Sequence, residues 1–306
     1  MFVLTFAMLT AIVLYGLLFN KALFFTFAGM LGGYFLLERL YSMKAYMPFR
    51  RKIQIMTWSD SGDPTALAKL EVDMAPTDEF IAAYNKENPD KKLTYTTVAL
   101  KALGVAMQKV KGSWGKLSFG NFVPAETVDV SVLVDVDGQN VVNTVVKNCE
   151  SASIADMNAQ MKKGVKVVKK KEDKDLNFQL KVFNILPTFV VKIILNTLSF
   201  INYELNLPVP AFKVKKNHFG NALLTNVSGF GLTDVYASHV PFTKSVCVCM
   251  LNAVKPEVVA RDGEIVVRNM MNVNFLFDIR FFEVKELALV LKSVENVFKN
   301  PKTYLK

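Results

Sequence analysis

The N-terminal part of the chain contains two long stretches without a charged side chain. Residues 2–19 and 22–37 are uncharged, and only Asn20 and Lys21 separate them. A helix needs about 20 apolar residues to cross a bilayer core of ~30 Å. Each stretch is close to that length, and the two together are far too long for one upright span. The sequence therefore predicts a transmembrane anchor over residues 1–40.

Two arrangements of this anchor fit the sequence. In the first, residues 2–19 and 22–37 form a helical hairpin that turns at Asn20 and Lys21. In the second, one longer helix is tilted in the bilayer and Lys21 extends its amine toward the surface. A cleaved signal peptide is disfavoured because no basic residues precede the apolar stretch. We expect the hairpin, and with it membrane lipid as a partner.

A basic and aromatic joint at residues 41–52 follows the anchor. It includes Lys44 and the basic run at 50–52, and basic residues beside a membrane helix favour the cytoplasmic side. We therefore expect an integral membrane protein whose large domain, residues 53–306, faces the cytosol.

The charge and cysteine content narrow the choice of ligands. The formal net charge is +10, which suits anionic lipid or an anionic ligand such as coenzyme A. No nucleic-acid-binding motif accompanies this charge, so nucleic acid is not an expected partner. Cys149, Cys247 and Cys249 are an odd number without the spacing of a disulfide framework. We expect them to be structural thiols, and we expect no bound metal.

The large domain has a mixed α and β pattern without a strict βαβ rhythm. This favours an α+β arrangement of helices against one main sheet. The apolar segment 178–205 is interrupted by polar residues and Pro187, so it predicts a broken amphipathic helix, either buried against the domain or lying on a membrane surface. Helices are further predicted at 76–89, 94–109, 151–171 and 284–298, and strands at 68–73, 117–123, 127–136, 141–146, 220–227, 243–254, 257–260 and 264–277.

The most informative motif follows the last predicted strand, where residues 277–284 are FDIRFFEV. This run resembles the Asp-His-Arg-x-x-Asp-Gly signature of the 2-oxoacid dehydrogenase acyltransferases, the catalytic cores of the dihydrolipoyl acyltransferases. That family in turn resembles chloramphenicol acetyltransferase. In the family the histidine is the base that removes a thiol proton, and Ile279 stands in its place.

Further blocks with the same resemblance occur in the family's order across residues 50–306. The similarity is to stand-alone members of the family that lack lipoyl domains. The blocks are residues 51–53, 58 and 61–64, residues 119–124 with 127–130, residues 219–222 with 229–231, residues 240–242, and residues 277–284 running to 301.

The resemblance implies a chloramphenicol acetyltransferase-like fold, in which helices flank a mixed sheet. It also implies a homotrimer with active sites between neighbouring subunits and a channel that admits coenzyme A. Coenzyme A or acyl-CoA is the implied cofactor, and this chain carries no lipoyl group. Because the family's lipoyl and subunit-binding domains are missing from the sequence, we do not expect it to belong to a 2-oxoacid dehydrogenase complex.

The resemblance also assigns the candidate site residues. Asp278, Ile279 and Arg280 occupy the motif itself, with Ile279 at the position of the missing histidine. Glu283 occupies the position of the family's acidic residue. Thr225 aligns with the hydroxyl that supports the oxyanion, a group that acyl transfer requires in addition to a base.

The replacement of the histidine leaves two functional interpretations. Isoleucine cannot accept a proton, and loss of a general base typically costs ~10²–10⁴-fold in rate. Val284 also replaces the family's glycine and restricts the backbone. The first interpretation is a degenerate acyltransferase that binds acyl-CoA or lipid, or serves as a trimeric membrane scaffold. The alternative is an active acyl-CoA-dependent acyltransferase that uses a substitute base such as Glu283 or His239. The second histidine, His218, is expected to be structural.

Overall fold

The computed structural model describes the greater part of the large domain and one helix before it. The first anchor stretch apart from Gly16, most of the basic joint and the motif blocks between 51 and 64 lie outside the described residues. The structure describes Gly16 and residues 21–42, 65–89, 92–135, 141–169, 188–212, 214–261 and 263–305.

Helix α1, Lys21–Ser42, contains the second uncharged stretch. Gly16 is also helical, and a Cβ atom built on it would lie 3.1 Å from Cβ of Phe24. Eight residues of one helix span about 12 Å, so Gly16 and Phe24 do not lie on one continuous straight helix.

No helix among the described residues is both long enough and apolar enough to cross a membrane. The described part of the chain therefore gives no support to the predicted transmembrane helices. In α1 the uncharged run ends at Glu38 and contains three glycines, Gly29, Gly32 and Gly33, which lower its apolar content.

Seven strands form one mixed sheet. They are β1 (Thr65–Asp73), β4 (Val130–Asp135), β5 (Val141–Val146), β6 (Ala222–Asn226), β7 (Cys247–Leu251), β8 (Lys255–Arg261) and β9 (Glu264–Asp278). The order is β1-β9-β7-β6-β4-β5, and β8 pairs with the first half of β9. Strands β4, β6 and β7 are parallel neighbours, and the other pairings are antiparallel. The predicted mixed sheet is confirmed.

A separate two-stranded hairpin corrects one predicted element. The segment 117–123 was expected to be a single strand, but it contains the turn between β2 (Gly115–Ser118) and β3 (Asn121–Pro124). The turn residues Phe119 and Gly120 have φ values of 49° and 72°. Two consecutive left-handed residues form the tight turn that suits a hairpin, so the apolar pattern concealed a reversal of the chain.

The helices of the domain agree with the sequence pattern. Thr94 starts its helix by accepting a hydrogen bond from the Thr97 N–H. Glu283 and Glu286 form a reciprocal capping box at the start of the last long helix. The helices are α2 (Ala75–Glu87), α3 (Tyr95–Lys109), α4 (Ile154–Lys169), α5 (Thr188–Ser199, followed by a π turn at Phe200–Glu204), α6 (Val284–Lys299) and α7 (Pro301–Tyr304).

The two faces of the sheet differ in what covers them. Because side chains alternate along a strand, Val273, Phe275 and Phe277 of β9 enter the main core with α3, α4 and α6. The opposite face of β9 is covered by the chain segment 227–246, through contacts such as that of Ala237 with Leu276. The three cysteines are buried and unpaired, as expected for structural thiols.

Candidate active site

The motif at the end of β9 forms a buried ion pair. Asp278 and Arg280 are 1% and 4% exposed, and Arg280 Nη2 lies 2.6 Å from Asp278 Oδ2. Arg280 also donates its backbone N–H and its Nε–H to Asp278 Oδ1, both at 3.0 Å. The Asp278 N–H donates to the Val246 carbonyl oxygen at 3.0 Å. These bonds fix the turn by which the chain leaves the sheet.

Ile279 lies between the two charged residues and is partly buried. Its side chain has no atom that accepts or donates a proton. The structure therefore retains the buried Asp–Arg frame of the motif and places a hydrocarbon side chain at its centre.

Glu283 is engaged in helix capping. Its side chain accepts the backbone N–H of Glu286, while Glu286 Oε2 accepts the Glu283 N–H at 2.8 Å. A carboxylate at a helix N-terminus is stabilised in its charged form by the helix dipole. Val284 is the exposed first residue of α6. The structure thus assigns Glu283 a role at the start of this helix.

Thr225 is not brought to the motif within one subunit. It stands opposite Met250 on β7, and Met250 stands opposite Asn274 on β9. Four further residues of strand separate Asn274 from Asp278, which corresponds to about 13 Å. The Thr225 hydroxyl and Ile279 therefore belong to distant positions of the same sheet.

His239 is the residue whose position the sequence did not reveal. It is 6% exposed, and the charges of both Asp278 and Arg280 act on it. Burial lowers the pKa of His239, the Asp278 carboxylate opposes that shift, and the Arg280 guanidinium adds to it. Neither ring nitrogen has a hydrogen-bond partner among the described residues. A buried imidazole, with both nitrogens unpaired among the described residues, is thus within the electrostatic influence of the motif.

Two buried asparagines, Asn272 and Asn274, lie on the face of β9 that the segment 227–246 covers. This side of the strand is the polar face. Asn272 Nδ2 donates to the Thr233 carbonyl oxygen at 3.0 Å, and Asn274 Nδ2 donates to Asp234 Oδ1 at 2.8 Å. The Oδ1 atoms of both asparagines lack a partner in the part of the chain that the structure describes. The sequence analysis did not single them out, although polar residues at every second position of an apolar strand were a signal.

No group of three or more potential ligands that could hold a metal ion occurs among the described residues. The His218 ring lies 4.9 Å from the ring of Phe219, and the His218 carbonyl oxygen accepts a hydrogen bond from Asn143 Nδ2. Of the two histidines, His239 is the one on which the charges of Asp278 and Arg280 act.

The sequence model of one family, the 2-oxoacid dehydrogenases acyltransferase (catalytic domain), matches residues 42–185 and 212–306. The chain belongs to this family. No curated protein sequence gives a significant match to it.

Solved structures of such acyltransferases have the same fold. The cubic core of the pyruvate dehydrogenase multienzyme complex gives a TM-score of 0.59 at 14% identity, over 86% of this chain and 94% of that one. Dihydrolipoamide acetyltransferase from Azotobacter vinelandii gives 0.58 at 14% identity, over 86% and 94%. A probable dihydrolipoamide acetyltransferase from Listeria monocytogenes gives 0.56 at 14% identity, over 83% and 95%.

Two parts of this 2-oxoacid dehydrogenase acyltransferase lie outside the family match. They are residues 1–41 and 186–211. The first contains nearly all of α1, and the second contains α5 with its π turn. The mixed sheet, the Asp278–Arg280 ion pair and His239 all lie within the matched segments.

Proposed function

We propose that the chain is a membrane-attached homotrimer that binds an acyl-CoA or a lipid acyl group, or serves as a trimeric membrane scaffold, and transfers acyl groups poorly. The observation that carries this proposal is Ile279. It lies inside the intact ion-pair frame of Asp278 and Arg280, where proton removal requires an acceptor that isoleucine does not have. Glu283 does not take over, because its carboxylate caps α6.

The motif alignment is supported by one of the related enzymes. For the Azotobacter vinelandii acetyltransferase, a serine, a histidine and an asparagine were investigated for roles in the catalytic mechanism, and the last two are four positions apart. Ile279 and Glu283 have the same separation. We infer that they occupy the positions of that histidine and asparagine.

The homotrimer is supported by the separation of the candidate residues. Thr225 and Ile279 are too far apart to act on one atom within a subunit, so a shared site requires Thr225 from a neighbour. The β8–β9 hairpin also exposes Val258, Ile265 and Val267 to solvent, and contiguous exposed apolar surface is typical of an interaction site.

Coenzyme A fits the polar groups that precede the motif on the same face of β9. The unpaired Oδ1 atoms of Asn272 and Asn274 require N–H or O–H donors to offset the cost of their burial. The pantetheine chain of coenzyme A supplies amide N–H groups, and the net charge of +10 suits its phosphates. When bound, acyl-CoA would supply the thioester. The chain's own residues would orient it and exclude water.

Membrane attachment is supported by the exposed apolar side chains of α1, among them Phe25, Met30 and Leu36. The uncharged residues 2–19 precede this helix. The basic residues of the joint support a cytosolic position for the large domain. A trimer held at a membrane is not expected to join a 2-oxoacid dehydrogenase complex.

The test compares thiol release from acetyl-CoA and longer acyl-CoAs by the purified full chain and by Ile279→His. We expect no release above background from the unaltered chain, and ~10²–10⁴-fold more from the variant. Calorimetry should show that both bind a CoA thioester. Equal turnover by the two proteins would refute the proposal.

A second candidate function, active acyl transfer with His239 as the base, is favoured by the position of that histidine. Burial lowers its pKa, the charges of the ion pair act on it, and both ring nitrogens lack a partner among the described residues. An imidazole also suits proton transfer near neutral pH. If the unaltered chain turns over, His239→Gln should abolish the reaction while Glu283→Gln leaves it intact. The reverse result would assign the role of base to Glu283.

A further inference from the structure

The two parts of the chain outside the family match, residues 1–41 and 186–211, meet at one aromatic ring. Phe119, at the tip of the β2–β3 hairpin, contacts Tyr34 of α1 with 5.9 Å between ring centroids. It also contacts Phe200 of the π turn at 6.0 Å. Both contacts are edge-to-face, the arrangement that aromatic rings prefer. Phe119 therefore joins two elements that the family model does not include.

Phe119 holds this position in an unfavourable backbone conformation. Its φ of 49° is rare for a bulky residue, because the Cβ atom crowds the backbone. The Phe119 N–H donates to the Glu204 carboxylate, and the Ser118 hydroxyl donates to the Glu204 carbonyl oxygen. The hairpin tip is thus bonded to the π turn, and a strained residue is retained where its ring bridges α1 and Phe200.

Helix α5 presents an uncharged face to the outside. Ile193 and Phe200 are 60% and 48% exposed, and Thr197 lies between them at the spacing that aligns residues on one side of a helix. The Thr197 hydroxyl donates to the Ile193 carbonyl oxygen at 2.9 Å. This polar group is therefore satisfied without water.

Helix α1 shows the same two properties. Phe25, Met30 and Leu36 are exposed. The Thr26 hydroxyl donates to the Ala22 carbonyl oxygen at 2.9 Å. In hydrocarbon a polar group must find its partner inside the protein, and the carbonyl of the preceding helical turn provides one.

We propose that the exposed faces of α1 and α5 form one docking surface for a lipid bilayer, with Phe119 fixing the two helices relative to each other. This inference rests on the proposed membrane attachment and adds an orientation to it. Lipid is the occupant that the chain favours, because the residues before α1, 2–19, are uncharged. Gly16 lies against Phe24, so part of that stretch adjoins α1.

The docking surface has a consequence for the site. Helix α5 packs against the turn at Pro241–Thr243, where Val240 and Phe242 are partly exposed. His239 directly precedes this turn. Docking through α5 therefore brings the His239 side of the domain to the bilayer, where an acyl group carried by a lipid reaches it without crossing water.

The test uses the full chain in nanodiscs made of phosphatidylcholine and phosphatidylglycerol. A fluorescent maleimide is placed on Phe25→Cys, Ile193→Cys or, as a control on the exposed side of α2, Lys86→Cys. The three native cysteines are buried and do not compete for the label. Lipids with a spin label near the headgroup should quench the labels at positions 25 and 193 and leave the label at 86 unquenched.

The possible outcomes separate this inference from the proposed attachment. Quenching at position 25 without quenching at 193 would overturn the docking surface and leave attachment standing. Absence of quenching at both positions would remove attachment as well. Equal quenching at 193 and 86 would indicate adsorption without a fixed orientation, and would also overturn the proposal.

A variant of the bridging residue tests how the surface is held together. Phe119→Asn removes the ring, while asparagine tolerates the left-handed backbone of the turn. We expect the label at 193 to lose its quenching and the label at 25 to keep it. Unchanged quenching at 193 would show that Phe119 does not fix the two helices.

Discussion

The two faces of strand β9 are built from one segment of chain and have opposite properties. On the helix side, Val273, Phe275 and Phe277 fill the main core and carry no polar side-chain atom. On the other side, Asn272 and Asn274 are equally buried and each keeps an oxygen atom without a partner in the described residues. His239 adds two unpaired nitrogens to that face.

The two faces of β9 therefore differ in what they contribute: the helix side stabilises the fold, and the opposite face offers groups for binding. An unpaired buried polar atom costs about 1–3 kcal/mol, so a face with several such atoms weakens the fold unless a ligand, a water molecule or a neighbouring subunit pairs with them. The three helix-side residues have no polar side-chain atom to leave unpaired, and their burial contributes hydrophobic free energy to folding. The opposite face retains groups that become favourable only when something binds to them.

The largest expected effect is the loss of a ring on the helix side. Phe275 is fully buried, and its ring is stacked on that of Phe277 with centroids 5.5 Å apart. Phe275→Ala should lower the free energy of unfolding by about 3–5 kcal/mol, measured by urea denaturation of the full chain in detergent. Lys86→Ala on the exposed side of α2 is the control and should change it by about 0.5 kcal/mol or less. Similar losses for both variants would mean that this face is not the main core.

Much of this stable face could be predicted from sequence. The periodicity of residues 284–298 predicted α6, and the run 264–277 predicted β9, because both patterns follow burial directly. The segment 117–123 shows the limit. Its apolar pattern continues through Phe119, and the reversal there depends on a bulky residue in a conformation that its type disfavours.

The candidate site could be predicted only in part, because some of its residues are far apart in the sequence. Asp278 and Arg280 are neighbours in sequence, so the motif indicated them together. His239 lies far earlier and reaches the motif because segment 227–246 crosses the sheet. The bonds of Asn274 to Asp234 and Val235 hold that segment in place, and such long-range contacts leave no local pattern.

A smaller effect on stability is expected from the polar face. Asn274→Ala removes the donor that serves Asp234 and the Val235 carbonyl oxygen, which should cost about 1–3 kcal/mol. The same variant should weaken the binding of an acyl-CoA in calorimetry, because it deletes the unpaired oxygen. Phe275→Ala, measured at a temperature where it remains folded, should bind like the unaltered chain. Equal binding by Asn274→Ala and the unaltered chain would assign this oxygen no role in recognition.

The smallest effect concerns the charge state of His239. Burial lowers its pKa below the ordinary value of 6.5, so as the pH falls through that value the unfolded chain binds a proton that the folded chain does not. The free energy of unfolding should therefore decrease toward acid pH, by at most about 1.4 kcal/mol per pH unit for one proton. Urea denaturation between about pH 7 and 5.5 measures this slope.

Replacement of each histidine in turn identifies the source of this pH dependence. His239→Leu removes the titrating group from the polar face and should flatten the slope, while His218→Leu keeps His239 in place and should retain the part of the slope that His239 contributes. Saturating acyl-CoA should extend the slope to lower pH if the ligand pairs with the His239 ring, since a hydrogen bond to the neutral imidazole favours that form in the complex and lowers the pKa of His239 further. A slope that survives His239→Leu would place the titrating group elsewhere and remove this histidine from the polar face that distinguishes the two sides of β9.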